Sequence, residues 1–172
     1  MREHLLRNKF RYPISAAAVL LLILFDQLTK DAAKQYLKIQ GPLVLWEGVF
    51  ELRYLENRGA AFGILQNQRF LFLILTVFLL FGILYVYCCR IPSEKRYRAL
   101  DVIAVLFFAG AVGNFIDRLV QNYVIDFFYF SLIDFPIFNM ADIYVVAASS
   151  LLIVLGLFYY KDKDFERILG KR

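Results

Sequence analysis

Four long apolar segments leave this chain few ways to fold. A helix needs about 20 residues to cross the roughly 30 Å hydrocarbon core of a bilayer. We predict membrane-spanning helices at about residues 12–28, 70–89, 100–120 and 139–160. The third segment is strongly apolar only as far as Val112, so it must continue through Asn114, Asp117 and Arg118 to cross. The sequence therefore predicts an all-α polytopic membrane protein with four transmembrane helices.

The composition supports this prediction. Hydrophobic residues make up 60% of the 172-residue chain, and the mean hydropathy is +0.58, whereas a soluble domain is typically about 45–50% apolar. The excess lies in the long segments, where a soluble fold could not shield it from water. Because no Gly/Ser/Pro-rich linker or low-complexity tract divides the chain, we expect residues 1–172 to form one domain.

The basic residues predict the orientation. The net charge is +5, but the bases gather at the ends of the apolar segments rather than in a patch with aromatics, so we expect no nucleic-acid partner. Cytoplasmic loops are rich in Lys and Arg, which predicts that both termini and the second loop lie in the cytoplasm. The residues concerned are Arg2, Arg7, Lys9, Arg11, Arg90, Lys95, Arg96, Arg98, Lys161, Lys163, Arg167, Lys171 and Arg172. A cleaved signal peptide is the alternative for the first segment, but no small-x-small cleavage site follows it, and we expect a retained helix.

The connection between the first two helices predicts a small β element at about residues 43–63. Its first part is rich in β-branched and aromatic residues, with a turn-like Glu47-Gly48, which is typical of short strands. A stretch of small residues, 59–63, follows, where the backbone can approach a partner closely. With both termini inside, this element lies on the extracytoplasmic surface.

Ionisable residues inside this apolar frame predict a functional site. Asp126 lies in an apolar run, and Asp142 lies near the start of the fourth helix. Asn139 precedes Asp142 by three positions, and Asn114 precedes Asp117 by three, so each pair shares a helix face. Two close carboxylates do not both ionise cheaply, so one tends to keep a proton while the other stays charged. An aspartic hydrolase starts from that state.

Some of these polar residues also have a purely structural interpretation. Asn139 could cap the fourth helix, with Asp142 as an acidic residue in its first turn. Asp117 could form an interfacial ion pair with Arg118 that only holds helices together.

Three more positions are ambiguous. Asp26, together with Thr29 and Lys30, could simply end the first helix at the membrane interface, and Asn57 could be a turn residue. Asp134 has almost the same Ile-Asp-Phe surroundings as Asp126, so the pattern alone does not separate these two aspartates.

The sequence lacks the residues that other hydrolytic mechanisms need. His4 is the only histidine, and the sequence has no His-Glu-x-x-His motif and no nucleophile elbow, which zinc and serine hydrolases use. Ser131, the only serine in an external loop, lies in a different predicted loop from the external lysines. A carboxylate pair that activates water remains, so we expect no metal and no organic cofactor. Cys88 and Cys89 are adjacent, which rarely suits a disulfide, and we expect a structural role for them.

Five blocks of the sequence, in this order, resemble those of lipoprotein signal peptidase, the type II signal peptidase of bacteria. They are residues 26–30 (Asp-Gln-Leu-Thr-Lys), 57–63 (Asn-Arg-Gly-Ala-Ala-Phe-Gly), 110–118 (Gly-Ala-Val-Gly-Asn-Phe-Ile-Asp-Arg), 124–127 (Val-Ile-Asp-Phe) and 138–143 (Phe-Asn-Met-Ala-Asp-Ile). The blocks extend over nearly the whole chain, and their order makes the resemblance specific. The chain departs from the family pattern at a few positions. Ala109 stands where a second glycine is usual, and Ala147 and Ala148 replace a glycine-containing turn. These departures affect helix packing rather than the chemistry.

The resemblance implies an aspartic endopeptidase of the bacterial cytoplasmic membrane. Its substrates would be prolipoproteins that carry a diacylglyceryl group on the cysteine after the cleavage site, and membrane lipids would surround a monomer. Asp126 and Asp142 would form the catalytic dyad, which favours Asp126 over Asp134. The supporting and substrate-contacting residues implied are Asn114, Asp117, Arg118 and Asn139, with Asn57 on the external element over the site and Asp26 on the first helix.

Two other classes of protein compete with this interpretation. A small proton-coupled carrier would use the carboxylates as a relay and predicts inverted repeats with broken helices, but the chain shows no matching halves. A non-catalytic assembly factor would use the polar residues only to bind neighbouring helices, and it would tolerate neutral substitutes at both aspartates.

Overall fold

The structure, a computed structural model, describes residues 2–59 and 68–170, with side chains from residue 10 onward. These parts of the chain contain the helices α1 Arg2–Gln40, α2 Arg69–Tyr85, α3 Arg98–Gln121, α4 Met140–Phe158 and α5 Asp162–Leu169. A π-helical turn, Val86–Arg90, continues α2. Short 3-10 turns lie at Lys95–Tyr97 and Ser131–Ile133.

In the described residues, four helical segments are long and apolar enough to cross a membrane. They are Phe10–Gln40, Arg69–Arg90, Lys95–Gln121 and Met140–Phe158, which confirms the predicted four-helix fold. Many of their apolar side chains point away from the protein: Leu21, Phe78 and Leu157 are 66%, 70% and 71% exposed. An apolar surface of this extent is suited to lipid rather than to water.

The first helix continues far beyond the predicted end of the first span. Asp26 and Lys30 lie within α1 and are 0% and 1% exposed, so the interpretation that they end the helix at the interface is wrong. The helix continues past these residues, because their charged groups are paired inside the bundle. α1 ends instead at Gln40, before Gly41, whose φ of 86° is a left-handed conformation that glycine adopts at little cost.

A three-stranded antiparallel sheet lies at the end of the bundle where α1 and α3 finish, called the sheet end below. Strands β1 Leu43–Trp46 and β2 Phe50–Asn57 form a hairpin, and β3 Val124–Tyr129 pairs with β2. The predicted β element is confirmed for β1 and β2, while its residues 60–63 lie outside the described residues.

The third strand was not predicted. β3 comes from the connection between α3 and α4, and its Val-Ile-Asp-Phe-Phe-Tyr sequence has the β-branched and aromatic residues that suit strands. The register places Leu55 opposite Asp126 and Asn57 opposite Val124. This pairing brings the end of β2 beside the aspartate of β3.

Small residues let α1, α3 and α4 approach closely. A Cβ added to Gly110 would lie 2.6 Å from the carbonyl oxygen of Ala141, and one added to Gly113 would lie 2.5 Å from Oδ2 of Asp26. Ala109 and Ala141 are completely buried. Close backbone approach through small residues is a common way for helices to pack in membranes.

A buried arginine joins three helices at the opposite end of the bundle. Arg11 of α1 is 7% exposed. Its guanidinium donates to the carbonyl oxygens of Tyr87 and Ile91, at 3.0 and 3.3 Å, and to Oδ1 of Asp101 at 2.6 Å. The guanidinium thereby provides hydrogen bonds to carbonyl oxygens that have no N–H partner within the helix at the end of the π-helical turn.

Helix α5 covers the same end and was not predicted. Arg96 donates to both carboxylate oxygens of Asp164, at 2.8 and 2.7 Å, and the Tyr97 hydroxyl donates to Oδ1 at 2.7 Å. Ile168 packs against the apolar cluster formed by α2, α3 and α4. α5 is thus attached by both charge and apolar contact.

Candidate active site

The predicted polar residues come together at the sheet end of the bundle. α3 supplies Asn114, β3 supplies Asp126, and the start of α4 supplies Asn139 and Asp142. Asp126 and Asn139 are 2% and 0% exposed, and Asp142 is half-buried. Buried polar groups must be hydrogen-bonded to be tolerated, and each of these is.

Asp126 is held by two amide side chains. Nδ2 of Asn139 donates to its Oδ1 at 2.6 Å, and Nδ2 of Asn57 donates to its Oδ2 at 2.9 Å. Asn57 reaches Asp126 because β2 pairs with β3. The turn interpretation of Asn57 is also partly correct, since its Oδ1 accepts from the Gly59 N–H at 3.0 Å.

Asp142 is held by one amide and one main-chain group. Nδ2 of Asn114 donates to its Oδ1 at 2.8 Å, and the N–H of Asn139 donates to its Oδ2 at 3.1 Å. Oδ1 of Asn139 in turn accepts from the Asp142 N–H at 3.0 Å. These two bonds form a capping box, so the capping interpretation is confirmed and the same residues also belong to the polar cluster.

The two aspartates are connected through neutral amides. Nδ2 of Asn139 lies 3.1 Å from Oδ1 of Asn114, so Asp126, Asn139, Asn114 and Asp142 form a continuous chain of contacts. All four carboxylate oxygens accept from an N–H group, and among the described residues no cationic group contacts them directly. The geometry holds both carboxyl groups in place and leaves their charge available for chemistry.

The environment of Asp126 favours its protonated form. Burial, reinforced by the negative charge of Asp142, raises the pKa of this carboxyl to about 7, while the hydrogen bonds from Asn57 and Asn139 act in the opposite direction. A carboxyl group with a pKa near neutrality can donate a proton at physiological pH. Such a pair of acidic groups can supply both an acid and a base.

A second charged cluster lies directly behind this chain of contacts. Nζ of Lys30 is 2.8 Å from Oδ2 of Asp26 and 3.1 Å from Oδ2 of Asp117. Asp117 therefore pairs with Lys30, and the predicted ion pair with Arg118 is wrong. Lys30 also donates to Oδ1 of Asn114 at 3.0 Å.

Arg118 faces the beginning of the segment that follows β2. Its guanidinium donates to the carbonyl oxygen of Gly59 at 3.1 Å and to that of Asn114 at 3.4 Å. It also lies 4.8 Å from the centre of the Phe72 ring, a distance typical of a cation–π contact. Arg118 thus connects α3, α2 and the end of the β2 segment beside the aspartates.

Comparison with known proteins decides the family. The family model described as signal peptidase (SPase) II matches residues 18–158. The chain belongs to the signal peptidase II family. It is therefore a peptidase, and its four apolar helices make it a multi-pass membrane protein. This membership does not favour the carrier or the assembly factor.

Named relatives and solved structures agree with this family. The chain is 41% identical over 138 residues to a lipoprotein signal peptidase of Streptococcus thermophilus (strain CNRZ 1066), covering 80% of this chain and 88% of the relative. It is 39% identical over 145 residues to that of Streptococcus pneumoniae (strain ATCC BAA-255 / R6), covering 84% and 92%. A bacterial membrane enzyme solved by the in meso method at 2.3 Å resolution matches with a TM-score of 0.76 and 30% identity, over 93% of this chain and 92% of that one.

The structure separates the two aspartates that the pattern left equivalent. In this signal peptidase II family member, Asp134 lies on the surface with a φ of 48°. It accepts a hydrogen bond from the Tyr129 hydroxyl at 2.5 Å, away from the polar cluster. Asp126, in contrast, lies inside the polar cluster.

Lys30 is one member of this peptidase cluster that sequence reasoning missed as a site residue. Gln27, whose Nε2 donates to Asp26 and Asp117 at 3.1 Å each, is another. The spacing of Lys30 from Asp26, one helical turn, was the available signal, because i,i+4 residues of opposite charge pair on a helix. In the described part of the chain, no group of three or more His, Cys, Asp or Glu side chains is arranged to hold a metal ion. Cys88 and Cys89 are free and exposed on the π-helical turn.

Proposed function

We propose that Asp126 and Asp142 are the catalytic dyad of an aspartic endopeptidase. The observation that carries the proposal is the arrangement of donors around them. Each carboxyl oxygen accepts one N–H group, so neither carboxyl can rotate freely, and the neutral amides between them leave the pair free to share one proton. The raised pKa of Asp126 favours that carboxyl as the one that carries the proton at rest.

The dyad acts as one acid–base unit during peptide hydrolysis. The ionised carboxylate of Asp142 takes a proton from a water molecule as the water oxygen attacks the scissile carbonyl carbon. Asp126 donates its proton to the carbonyl oxygen. Asp142 then protonates the leaving amine as the C–N bond breaks, and Asp126 regains a proton from the hydroxyl group of the tetrahedral intermediate as the carbonyl re-forms.

The substrates proposed are diacylglyceryl-modified prolipoproteins, cut before the lipid-modified cysteine. The relatives are named lipoprotein signal peptidases, and the position of the site suits this kind of substrate. The polar cluster lies where the apolar helices meet the sheet, so acyl chains can remain in lipid while the scissile segment reaches the aspartates. The exposed apolar faces of the helices offer a surface for the signal helix.

The location proposed is the bacterial cytoplasmic membrane, with both termini in the cytoplasm and the dyad near the extracytoplasmic face. The charge distribution supports this orientation, because Arg11, Arg90, Arg96 and Arg167 all lie at the end opposite the sheet and the positive end of such proteins faces the cytoplasm. One domain formed by residues 1–172, acting as a monomer, is sufficient for the proposed chemistry.

The test is cleavage of a purified diacylglyceryl-modified prolipoprotein by the purified protein in detergent or lipid. Asp126→Asn and Asp142→Asn should each lower the rate by about 10³-fold or more, the scale of lost acid–base catalysis, while the protein stays folded. Asp134→Asn is the matched control and should keep a rate close to that of the parent. Loss of activity in Asp134→Asn alone would refute the assignment of the dyad.

A further inference from the structure

We propose that Lys30 is a positioning residue for peptide hydrolysis, which holds the amide of Asn114 in the orientation that places Asp142. The proposal rests on the function of the dyad proposed above. Lys30 lies on α1, one helical turn from Asp26, and is 1% exposed. Its ammonium group forms no hydrogen bond or ion pair with either aspartate of the dyad, and its side-chain contact with the amides that hold them is the one to Oδ1 of Asn114.

The orientation of Asn114 depends on what its oxygen meets. An asparagine amide can be turned by 180° with little change in shape, which exchanges its donor and its acceptor. Nζ of Lys30 and Nδ2 of Asn139 both donate to Oδ1 of Asn114, at 3.0 and 3.1 Å. Because a lysine ammonium only donates, it fixes the oxygen on its own side and leaves Nδ2 facing Oδ1 of Asp142 at 2.8 Å.

The ammonium group is itself fixed in space. It has three hydrogens to donate, and three oxygens lie within reach, those of Asp26 at 2.8 Å, Asp117 at 3.1 Å and Asn114 at 3.0 Å. A buried charge is stable only when it is paired and hydrogen-bonded in this way. Every donor of Lys30 therefore has one acceptor, and the group has no freedom to move to another partner.

The two acidic partners of Lys30 also hold the backbone beside each catalytic aspartate. Oδ1 of Asp26 accepts from the N–H of Ala141 at 2.9 Å, and Oδ2 of Asp117 accepts from the N–H of Ile125 at 3.1 Å. Ala141 immediately precedes Asp142, and Ile125 immediately precedes Asp126. The Lys30 cluster is thus connected to both halves of the dyad by main-chain as well as side-chain contacts.

The experiment compares two lysine variants with a matched control. Lys30→Met removes the ammonium group and keeps a side chain of similar length. Lys30→Met combined with Asp26→Asn removes one charge of each sign, so the cluster keeps its net charge. Lys34→Met is the control, because Lys34 lies one turn further along α1 and is only half-buried, with Nζ 3.3 Å from Oε1 of Gln121.

Steady-state cleavage of a diacylglyceryl-modified prolipoprotein and thermal unfolding are measured for each purified variant. In both lysine variants kcat should fall by about tenfold or more, because a misplaced catalytic group loses rate even when the substrate still binds. KM should stay close to that of the parent, and Lys34→Met should match the parent in both constants. This separation of kcat from KM distinguishes positioning from general damage to the fold.

Several results would overturn the proposal. Parent-like kcat in the double variant would mean that Lys30 only neutralises the charge of Asp26 and positions nothing. A lower melting temperature with unchanged kcat, or a double variant that does not fold, would make Lys30 a residue of structural importance alone. Asp126→Asn is measured alongside, and if it retained activity, the dyad assignment would fail independently of any result at Lys30.

Discussion

The close packing of α3 on α4 makes Gly110 a sensitive test of the site geometry. A Cβ at this position would lie 2.6 Å from the carbonyl oxygen of Ala141 and 2.8 Å from Cγ2 of Val145. Ordinary contacts of a Cβ atom begin at 3.4 Å. In Gly110→Ala the two helices must therefore separate by roughly 0.8 Å at this point, because the atom in the way belongs to the backbone and cannot rotate aside.

The expected effects on stability and on activity differ in size. Overpacking of this kind costs about 1–3 kcal/mol, and the better helix propensity of alanine returns up to about 1 kcal/mol, so the net loss spans about 0–3 kcal/mol and we expect a value near the middle, about 1–2 kcal/mol. That corresponds to a melting temperature lower by about 2–8 °C. Asp142 follows Ala141 directly on α4 and shifts with it, and a displacement near 1 Å can reduce the rate about 10²-fold.

The assay measures thermal unfolding and the initial rate of prolipoprotein cleavage at a temperature where both proteins are folded. Gly82→Ala is the control, because a Cβ there meets nothing within 4 Å; it should keep the rate of the parent and melt at the same or a slightly higher temperature, because alanine favours the helix. A Gly110→Ala protein that unfolds and cleaves like the parent would refute the close approach of α3 and α4 and the argument built on it.

Two further predictions concern pH and the far end of the bundle. Asp126 keeps its proton up to a pKa of about 7, so the cleavage rate should fall as the pH rises through 7. The free energy of unfolding should also decrease from pH 4 to 7, because the unfolded chain releases this proton at a lower pH than the folded protein does. In calorimetric scans, Asp126→Asn should flatten that decrease. A flat profile in the parent protein would contradict the raised pKa. The hydrogen bonds from Arg96 hold the pKa of Asp164 below its usual range, so their pair stabilises the protein above the ordinary pKa of an aspartate and loses this effect in strong acid. Asp164→Asn should lower the melting temperature by a few degrees at pH 7 but less in acid, with a parent-like cleavage rate at 25 °C; an equal difference at all pH values would count against the ion pair.

The helices could be predicted because the bilayer allows few alternatives. Long apolar segments must form spanning helices to satisfy their backbone groups, and α2, α3 and α4 begin and end within a few residues of the predicted positions. The spacing of Asn139 and Asp142 also indicated the shared face that the structure shows. The prediction that both termini lie in the cytoplasm remains a prediction.

The features that could not be predicted depend on distant contacts. β3 forms only because β2, about 70 positions earlier in the chain, supplies its hydrogen-bonding partner. α1 continues past Lys30 because residues of α3 and α4 receive the charges that would otherwise need water. Sequence spacing shows which residues share a helix face, but it does not show which face meets which helix. For the same reason the sequence pattern pairs Asp117 with its neighbour Arg118 rather than with Lys30.

The pairing of Asp26 with Lys30 has a consequence for how the protein enters the membrane. Synthesis proceeds from the N-terminus, so α1 reaches the bilayer before Asp117 and the N–H of Ala141 exist. A lone aspartate in hydrocarbon is costly, but these two residues are one helical turn apart and 2.8 Å from each other. The first helix therefore brings its own counter-ion, and it can be inserted as a nearly neutral segment before the later helices arrive.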